Sequence, residues 1–432
     1  MNHPIIRKIL SNSAILMAEK LVTMVVTLGV TVMLTRYLSP SDWGTLSYLM
    51  AFSGLALPFT AIGLNGLITQ YLLKYPEQKD EVMGTAIAIR FIGSFVTIFA
   101  FYWVLKTWFI HDPYVEKLLA IVLLGTATLA FSGINFYFES IVQAKYASSV
   151  RIVSSIIAAL AKVWAVVTHQ DLTNIVIIFS AEFTLTALLF LCAYQIKARP
   201  LKWWRWNGTI AKEMLQRCGY LIFSSVFAMV YLKLDQVMLG QMTSMKEVGQ
   251  YAIAARLSEV WVFVPTALVA SAYPAIARLY QDKSPNYQKR LQQSNDILFG
   301  LSLSLAIVVQ LFGTWLITLI FGDKYADAAV ILQIHIWSSV FIFMRTLASR
   351  WLILEDLVKF SLYSHIAGAF VNVAFNYLLI PEFGAIGAAY ATLISYASAG
   401  WLIFYVNRKT RLIGNIMTRS LLFPLRPIFN KF

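Results

Sequence analysis

Two pairs of charged residues lie inside strongly apolar segments in the second half of the chain. Lys233 and Asp235 are two residues apart, and Arg256 and Glu259 are three residues apart. Residues three apart share one face of a helix and can pair, whereas residues two apart point in different directions. We therefore expect Arg256 and Glu259 either to form an ion pair or to face a water-filled cavity. Lys233 and Asp235 need partners on different neighbouring helices, or one of them faces the cavity.

Charges interrupt apolar segments elsewhere in the chain as well. Ten such charges exposed to lipid would cost on the order of 30 kcal/mol, so most of them cannot face lipid. Arg90 and Arg345 lie near predicted helix ends, where a long side chain can reach water. Arg256 and Glu259 are the deepest, roughly 12 Å and roughly 17 Å inside their helix at about 1.5 Å per residue. The intramembrane cations are Lys20, Arg90, Lys162, Lys233, Arg256 and Arg345, and the clearest acids are Glu19, Glu182, Asp235 and Glu259.

The segments that carry these charges are long enough to cross a bilayer. Of the 432 residues, 59% are hydrophobic and 13% are charged, about half the charged fraction of a usual soluble domain. Runs of about 20 apolar residues predict membrane-spanning helices, which satisfy their own backbone hydrogen bonds. We predict an all-α, polytopic membrane protein with about twelve transmembrane helices, near residues 13–35, 43–70, 84–105, 118–140, 148–168, 172–196, 218–240, 248–276, 296–321, 327–349, 358–380 and 384–406. The first is expected to be uncleaved, because no small-residue cleavage site follows a short apolar core.

The distribution of basic residues predicts the orientation of these helices. The chain has 35 Lys and Arg residues against 21 Asp and Glu, a net charge of +14. If the N-terminus is cytoplasmic, most basic residues fall in the inner loops and the C-terminal tail. The positive-inside rule then predicts that both termini are cytoplasmic. The net charge is thereby explained without a nucleic-acid partner. The outer segments hold few basic residues: Arg36, Lys106, Lys117, Lys246 and Lys324.

A Trp-rich polar segment divides the helices into two equal sets. Residues 197–217 interleave three Trp residues with Lys and Arg, a composition that suits the lipid headgroup layer. We interpret this segment as an interfacial linker, with a loading surface for a phospholipid-like ligand as the alternative. Residues 1–196 and 218–406 then form two six-helix lobes. The basic tail, residues 407–432, is expected to lie on the inner membrane surface, so membrane lipids are predicted partners.

A short internal repeat supports this division. The segment MLTRYLSPSDWG, residues 33–44, aligns with MLGQMTSMKEVG, residues 238–249, at the same junction of each lobe. Because each lobe has an even number of helices, the two run in the same direction and are related by a pseudo-twofold axis along the membrane normal. Transporters built from such repeats bind substrate near the repeat interface. The organisation therefore favours transport over catalysis.

Four segments, in order along the chain, resemble Wzx-type polysaccharide flippases, the polysaccharide-transporter branch of the multidrug/oligosaccharidyl-lipid/polysaccharide exporter superfamily. They are RYLSPSDWGTLSYL (36–49), LKLDQVMLG (232–240) with VGQYAIAARLSEV (248–260), FGDKYADAAVILQIHIWS (321–338) and IPEFGAIGAAYATLIS (380–395). The resemblance implies twelve helices in two lobes and location in the bacterial cytoplasmic membrane. It also implies transport of an undecaprenyl-diphosphate-linked oligosaccharide, such as an O-antigen unit, from the inner to the outer leaflet. Other membrane proteins of polysaccharide assembly become candidate partners.

This cargo suggests roles for the buried polar residues. Guanidinium and ammonium groups bind phosphate, so the diphosphate is expected to meet the cations Arg256, Lys233, Lys162, Arg90, Lys20 and Arg345. Residues that titrate or bind ions are candidates for coupling to an ion gradient, namely Asp235, Glu259, Glu19, Glu182, His335 and His365. Asn372 and Asn376 lie one turn apart and either contact sugar hydroxyls or bond neighbouring helices. Packed, hydrogen-bonded rings are the alternative for both histidines.

Two other functions compete with this hypothesis. An exporter of cationic drugs from the same superfamily is expected to have an acid-dominated cavity, whereas cations outnumber acids here. A membrane polymerase or ligase of polysaccharide assembly is expected to carry a sizeable outer loop with Arg, His or carboxylates, and the predicted outer loops are short. The sequence has no ATP-binding loop and no metal-ligand spacing. We therefore predict a transporter that is not an enzyme and requires neither cofactor nor metal, with energy from an ion gradient or from substrate supply.

Overall fold

The computed structural model describes residues 3–422, and within that range the regular secondary structure is helical. The described residues form two units, the first extending to Met229 and the second beginning at Val230. The first contains α1 (His3–Tyr37), α2 (Pro40–Ala61), α3 (Leu67–Lys74), α4 (Lys79–Trp108), α5 (Pro113–Thr128), α6 (Asn135–Ser140), α7 (Ala144–Val167), α8 (Leu172–Lys197) and the first part of α9 (Gly208–Met242). A 3-10 turn, Leu129–Ile134, joins α5 to α6.

The second unit contains the end of α9 and seven further helices. These are α10 (Met245–Glu259), α11 (Phe263–Gln281), α12 (Tyr287–Phe321), α13 (Asp327–His335), α14 (Ser338–Leu354), α15 (Lys359–Gly400) and α16 (Arg411–Leu421). The unit boundary thus falls within α9. The predicted lobes at 1–196 and 218–406, the linker and the tail stay predictions, and part of the tail lies outside the described residues.

The chain is a multi-pass membrane protein. Ten segments of the described range are long and apolar enough to cross a bilayer, and the last, Lys359–Tyr405, covers both of the last two predicted spans. Helix α2 is not among the ten, although its 22 residues are sufficient to cross, because Ser, Thr and Gly residues lower its hydropathy. The all-α, polytopic class predicted from composition is confirmed.

The second predicted helix, 43–70, is wrong in its extent. Helix α2 ends at Ala61, and Ile62 adopts a left-handed conformation with φ 49°. Gly63 and Gly66 follow with φ 60° and 80°, and α3 begins only at Leu67. The turn is also tightly packed, since a Cβ on Gly63 would lie 2.7 Å from the carbonyl oxygen of Cys218. The apolar pattern continues across residues where the backbone reverses.

The internal repeat has a local structural basis, which is the same helix cap in both units. Ser39 Oγ accepts a hydrogen bond from the backbone N–H of Asp42 at 3.1 Å, at the start of α2. Ser244 Oγ accepts one from Glu247 N–H at 3.3 Å, at the start of α10. A serine cap satisfies a backbone donor that the first helical turn leaves unpaired. The repeat therefore encodes a helix start.

Helix α15 is a helical hairpin with almost no loop. Its backbone leaves helical geometry at Gly384, where φ is 54° and ψ is −134°. Ser364 Oγ donates to the carbonyl of Ala399 at 2.8 Å, and Ser395 Oγ donates to that of Gly368 at 2.7 Å. These contacts show that the two halves run antiparallel and pack closely. At the turn, a Cβ on Gly384 would collide with the carboxylate of Glu247.

Candidate functional site

The first unit contains a cavity of about 640 Å³ among its membrane helices. Apolar side chains from α2, α6, α8 and α9 form much of its wall, including Leu57, Phe136, Phe190 and Met229. Polar groups are contributed by the turn after α2, by α4, by the 3-10 turn and by α6, α7 and α8. They include Asn65, Arg90, Ser132, Asn135, Arg151 and Thr186. A mainly apolar cavity with a few convergent polar groups is typical of a binding site for an organic ligand.

Arg90 is the central cation of this cavity. It is only 3% exposed, although it extends from a membrane helix. Its Nε donates to the carbonyl of Ala130 at 2.9 Å, and Nη1 donates to Asn65 Oδ1 at 2.7 Å. Nη2 donates to the Leu129 carbonyl at 3.4 Å and to Ser132 Oγ at 3.1 Å. The expectation that Arg90 reaches water near a helix end is therefore wrong, because neutral acceptors on two turns hold it inside.

Arg151 is the second guanidinium of the cavity, and it was not among the predicted site residues. Its Nε and Nη2 donate to the two carboxylate oxygens of Glu19 at 2.9 and 2.7 Å, which joins α7 to α1. Its Nη1 donates to Asn135 Oδ1 at 2.8 Å. Ser148 adds a hydrogen bond to Glu19, which is 6% exposed. Because Lys20 directly follows Glu19, the sequence held no signal that Arg151 is the base beside this acid.

The two charged side chains of the described range that line the cavity, Arg90 and Arg151, are both cations, and the Glu139 carboxylate lies just outside the lining, where it accepts a hydrogen bond from Asn135. Glu19 neutralises Arg151, whereas the four hydrogen bonds of Arg90 go to amide, carbonyl and hydroxyl oxygens. A buried guanidinium without a carboxylate partner attracts an anion strongly, because the surroundings screen its charge poorly. Amide and hydroxyl groups beside it can bind hydroxyl groups of a ligand. The arrangement therefore suits a molecule that joins an anionic group to a polyhydroxylated one.

In the second unit, Asp235 is a buried acid held by neutral donors. The residue is 3% exposed. Its Oδ2 accepts hydrogen bonds from Tyr251 Oη at 2.6 Å and Thr392 Oγ1 at 2.8 Å, and its Oδ1 accepts one from Asn376 Nδ2 at 2.7 Å. Asn376 also bonds Asn372 at 3.0 Å, and both amides are fully buried. The structure thus places these two residues in a network between helices.

Lys233 and Glu259 approach one another on α9 and α10. Lys233 Nζ lies 3.9 Å from Glu259 Oε2. The predicted pairing of Arg256 with Glu259 is wrong, since Lys233 from the neighbouring helix is the base beside that carboxylate. Arg256 is exposed, and no hydrogen bond or ion pair joins its side chain to another described residue. Its alternative role, in a water-filled cavity, stays a prediction. Lys233 and Asp235 bond different residues, but both have a partner on α10, and only Asp235 also bonds α15, so the expectation of separate neighbouring helices is met only in part.

The remaining predicted site residues are dispersed. Lys162 on α7 pairs with Glu182 on α8 at 2.5 Å, and its ammonium lies 3.7 Å from the ring centre of Phe179. Lys20 is exposed on α1.

The Arg345 guanidinium lies 5.5 Å from the ring centre of Phe404, and its Nη atoms find no acceptor among the described residues. His335 packs against the ring of Tyr251 at 5.8 Å, and neither its Nδ1 nor that of His365 has a partner in the described range.

Comparison with known proteins places this architecture in a family. The family model described as "Polysaccharide biosynthesis protein" matches residues 9–280. The chain belongs to the polysaccharide biosynthesis protein family. A second family model, described as "MatE", matches residues 221–378 of this polysaccharide biosynthesis protein. The resemblance to polysaccharide flippases is thereby confirmed, and the comparisons indicate a flippase or transporter.

Curated relatives and solved structures agree with this family. An uncharacterized membrane protein of Methanocaldococcus jannaschii is 24% identical over 82% of this chain and 75% of its own length. A probable flippase of Haloferax volcanii, AglR, is 31% identical over 44% of this chain and 40% of its own. In fold, the chain is similar to the lipid II flippase MurJ, inward closed, with TM-score 0.72 and 14% identity over 97% of this chain and 93% of that one. An inward-facing multidrug resistance MATE transporter gives TM-score 0.73 and 12% identity over 92% and 96%.

Proposed function

We propose that this polysaccharide biosynthesis protein is a flippase that moves an undecaprenyl-diphosphate-linked oligosaccharide from the inner to the outer leaflet of the cytoplasmic membrane. The observation that carries the proposal is the cavity of the first unit, where Arg90 is buried among membrane helices and bonded to neutral acceptors. The names of the Haloferax relative, a probable flippase, and of the lipid II flippase MurJ support the same class of function.

The cavity chemistry matches the polar head of such a lipid. The Arg90 charge would meet the diphosphate, and the amides of Asn65 and Asn135 would meet sugar hydroxyls. Arg151 is neutralised by Glu19, so it would add hydrogen-bond donors to the cavity without adding a second net charge. The apolar wall would exclude bulk water, which strengthens each polar contact. The lipid tail would remain in the bilayer.

Coupling to an ion gradient is assigned to Asp235. Its carboxylate accepts three hydrogen bonds from neutral groups, so protonation or binding of a cation would alter all three contacts at once. These contacts join α9 to α10 and to both halves of α15. A change in the ionic state of one side chain would thereby reach four helical segments. Release of the cargo on the far side of the membrane by alternating access would follow from such a change.

The decisive measurement is the leaflet in which the lipid-linked unit accumulates when the protein is absent. In a deletion strain, the sugar is expected to be protected from a membrane-impermeant oxidant in intact cells and to become accessible when the wild-type gene is restored. Accumulation on the outer leaflet would instead indicate a polymerase or ligase. Intact surface polysaccharide combined with greater sensitivity to cationic drugs would indicate an exporter.

A further inference from the structure

A second, polar cavity of about 490 Å³ lies in the second unit, where the first turns of α12 run beside α16. The side chains that matter are Lys289, Gln292, Gln293 and Asp296 from α12 and Asn415 and Arg419 from α16. It shares no lining residue with the cavity of the first unit. Nothing in the proposed transport cycle requires it, so this cavity, called here the α12/α16 groove, needs its own explanation.

The groove lies at the level of lipid headgroups. Helix α12 has 35 residues, which makes it about 52 Å long at 1.5 Å per residue, whereas the hydrocarbon core is about 30 Å thick. Its first ten residues, YQKRLQQSND, are mostly polar, and the apolar run starts at Ile297. The groove occupies this polar end. Helix α16 is fixed beside it because Ile413, Ile416 and Met417 are buried in the apolar core of the unit.

A hydrogen-bond network forms the back of the groove and leaves two buried acceptors without a donor among the described residues, Asn295 Oδ1 behind the lining and Gln292 Oε1 on it. Ser420 Oγ donates to Asp296 Oδ1 at 2.6 Å, and Gln292 Nε2 donates to the same oxygen at 2.9 Å and to Ser420 Oγ at 3.0 Å. Gln292 Oε1, however, is buried without a donor among the described residues. Buried polar atoms are almost always paired. A ligand that brings a donor into the groove would satisfy this oxygen.

The charges of the groove indicate what else the ligand carries. Lys289 and Arg419 contribute two cations against the single carboxylate of Asp296, so the groove attracts an anion overall. Phosphate is expected near the cations, and hydroxyl donors are expected near Gln292 Oε1 and Asp296. We propose that the α12/α16 groove binds the headgroup of an anionic phospholipid with free hydroxyls, the phosphatidylglycerol class. A choline headgroup has no hydrogen-bond donor and no net negative charge, so it fits neither feature.

The test uses the full-length protein purified in detergent and loaded with short-chain phosphatidylglycerol, with bound lipid counted by native mass spectrometry. The double substitution Lys289→Gln/Arg419→Gln is expected to reduce retained phosphatidylglycerol about tenfold, because each basic residue near an anionic headgroup contributes measurably. The charge-matched control is Lys409→Gln/Arg411→Gln, which removes two exposed cations outside the groove. This control is expected to retain wild-type binding, and thermal unfolding without lipid checks that both variants are folded.

A second variant tests the position of the phosphate without removing a cation. Asn415→Asp is nearly isosteric and introduces a negative charge at the exposed rim, so it is also expected to weaken phosphatidylglycerol binding. Equal loss in the charge-matched control would overturn the proposal, as would equal retention of phosphatidylcholine or phosphatidylethanolamine. Inorganic phosphate or glycerol 3-phosphate that competes as strongly as the lipid would overturn the assignment to a membrane lipid. Because transport is not the readout, failure here is separate from failure of the proposed flippase activity.

Discussion

Replacement of Arg90 tests both the architecture of the first-unit cavity and its charge. In Arg90→Gln, acceptors on the 3-10 turn and on Asn65 lose their donors inside the protein. Hydrogen bonds to a charged group contribute about 1.5 to 3 kcal/mol each and are not additive, so we expect the free energy of unfolding to fall by about 3 to 5 kcal/mol. Arg90→Lys retains the charge, but one ammonium cannot reach acceptors on both turns, and we expect a loss of about 2 to 3 kcal/mol.

The two variants are expected to differ more in transport than in stability. At equal amounts of folded protein, Arg90→Gln should reduce outward movement of the lipid-linked oligosaccharide at least about tenfold, whereas Arg90→Lys should retain a measurable part, since a point charge still attracts diphosphate. Stability is measured by unfolding in mixed micelles and transport by the accessibility of the sugar in cells. Arg217→Lys, on the exposed surface of α9, is the matched control.

Two results would refute this reasoning. If Arg90→Gln unfolded with the same free energy as the wild type, the four hydrogen bonds would not organise the cavity. If folded Arg90→Gln transported as well as the wild type, its charge would not bind the cargo. Equal inactivity of both folded variants would indicate that the forked geometry, and not the charge, is required.

Three further predictions follow from other sites. Arg256→Ala is expected to reduce surface polysaccharide strongly and Arg256→Lys to retain part of it; full polysaccharide in both at native expression would contradict a transport role. Asp235→Asn is expected to accumulate normally but to lose the dependence of transport on an imposed ion gradient, so gradient-dependent transport in this variant would contradict the assigned coupling. A hydrogen bond from Lys74 holds the pKa of the Glu213 carboxyl below its ordinary value of 4.5. The stability that this carboxyl adds is present above that ordinary value and is lost as pH falls through the lowered pKa, so Glu213→Gln should lower the Tm at pH 7 more than at pH 3.

The membrane class and most helix positions could be predicted because a bilayer imposes long apolar runs that are visible without tertiary information. The end of α2 could not be predicted, because apolar side chains continue past Gly63 and Gly66 while the backbone turns. Hydropathy depends on side chains only, so it does not detect a backbone turn with positive φ angles of 60° and 80°.

The partners of the charged residues were predictable only in part. The two-residue spacing of Lys233 and Asp235 indicated that their side chains point apart, and they do bond different residues, but packing brings α10 to both of them. The pairing of Arg256 with Glu259 failed because helical spacing shows which residues can meet, whereas tertiary packing brought Lys233 to the same carboxylate. Arg151 was missed for the same reason: its partner Glu19 is far away in sequence and is brought near only by packing of α1 on α7.

The nearly loop-free hairpin of α15 has a consequence for how the chain enters the membrane. The backbone reverses at Gly384 with almost no loop. The first half therefore cannot cross the bilayer before the second half is made, and the two halves are expected to leave the translocon as a pair. The turn exposes only a short segment, Pro381, Glu382 and Phe383, to an antibody or a protease. Tags that map the topology of this protein should therefore avoid residues 381–385, where an insertion would separate Glu247 from the backbone N–H of Ala385 that it holds at 2.6 Å.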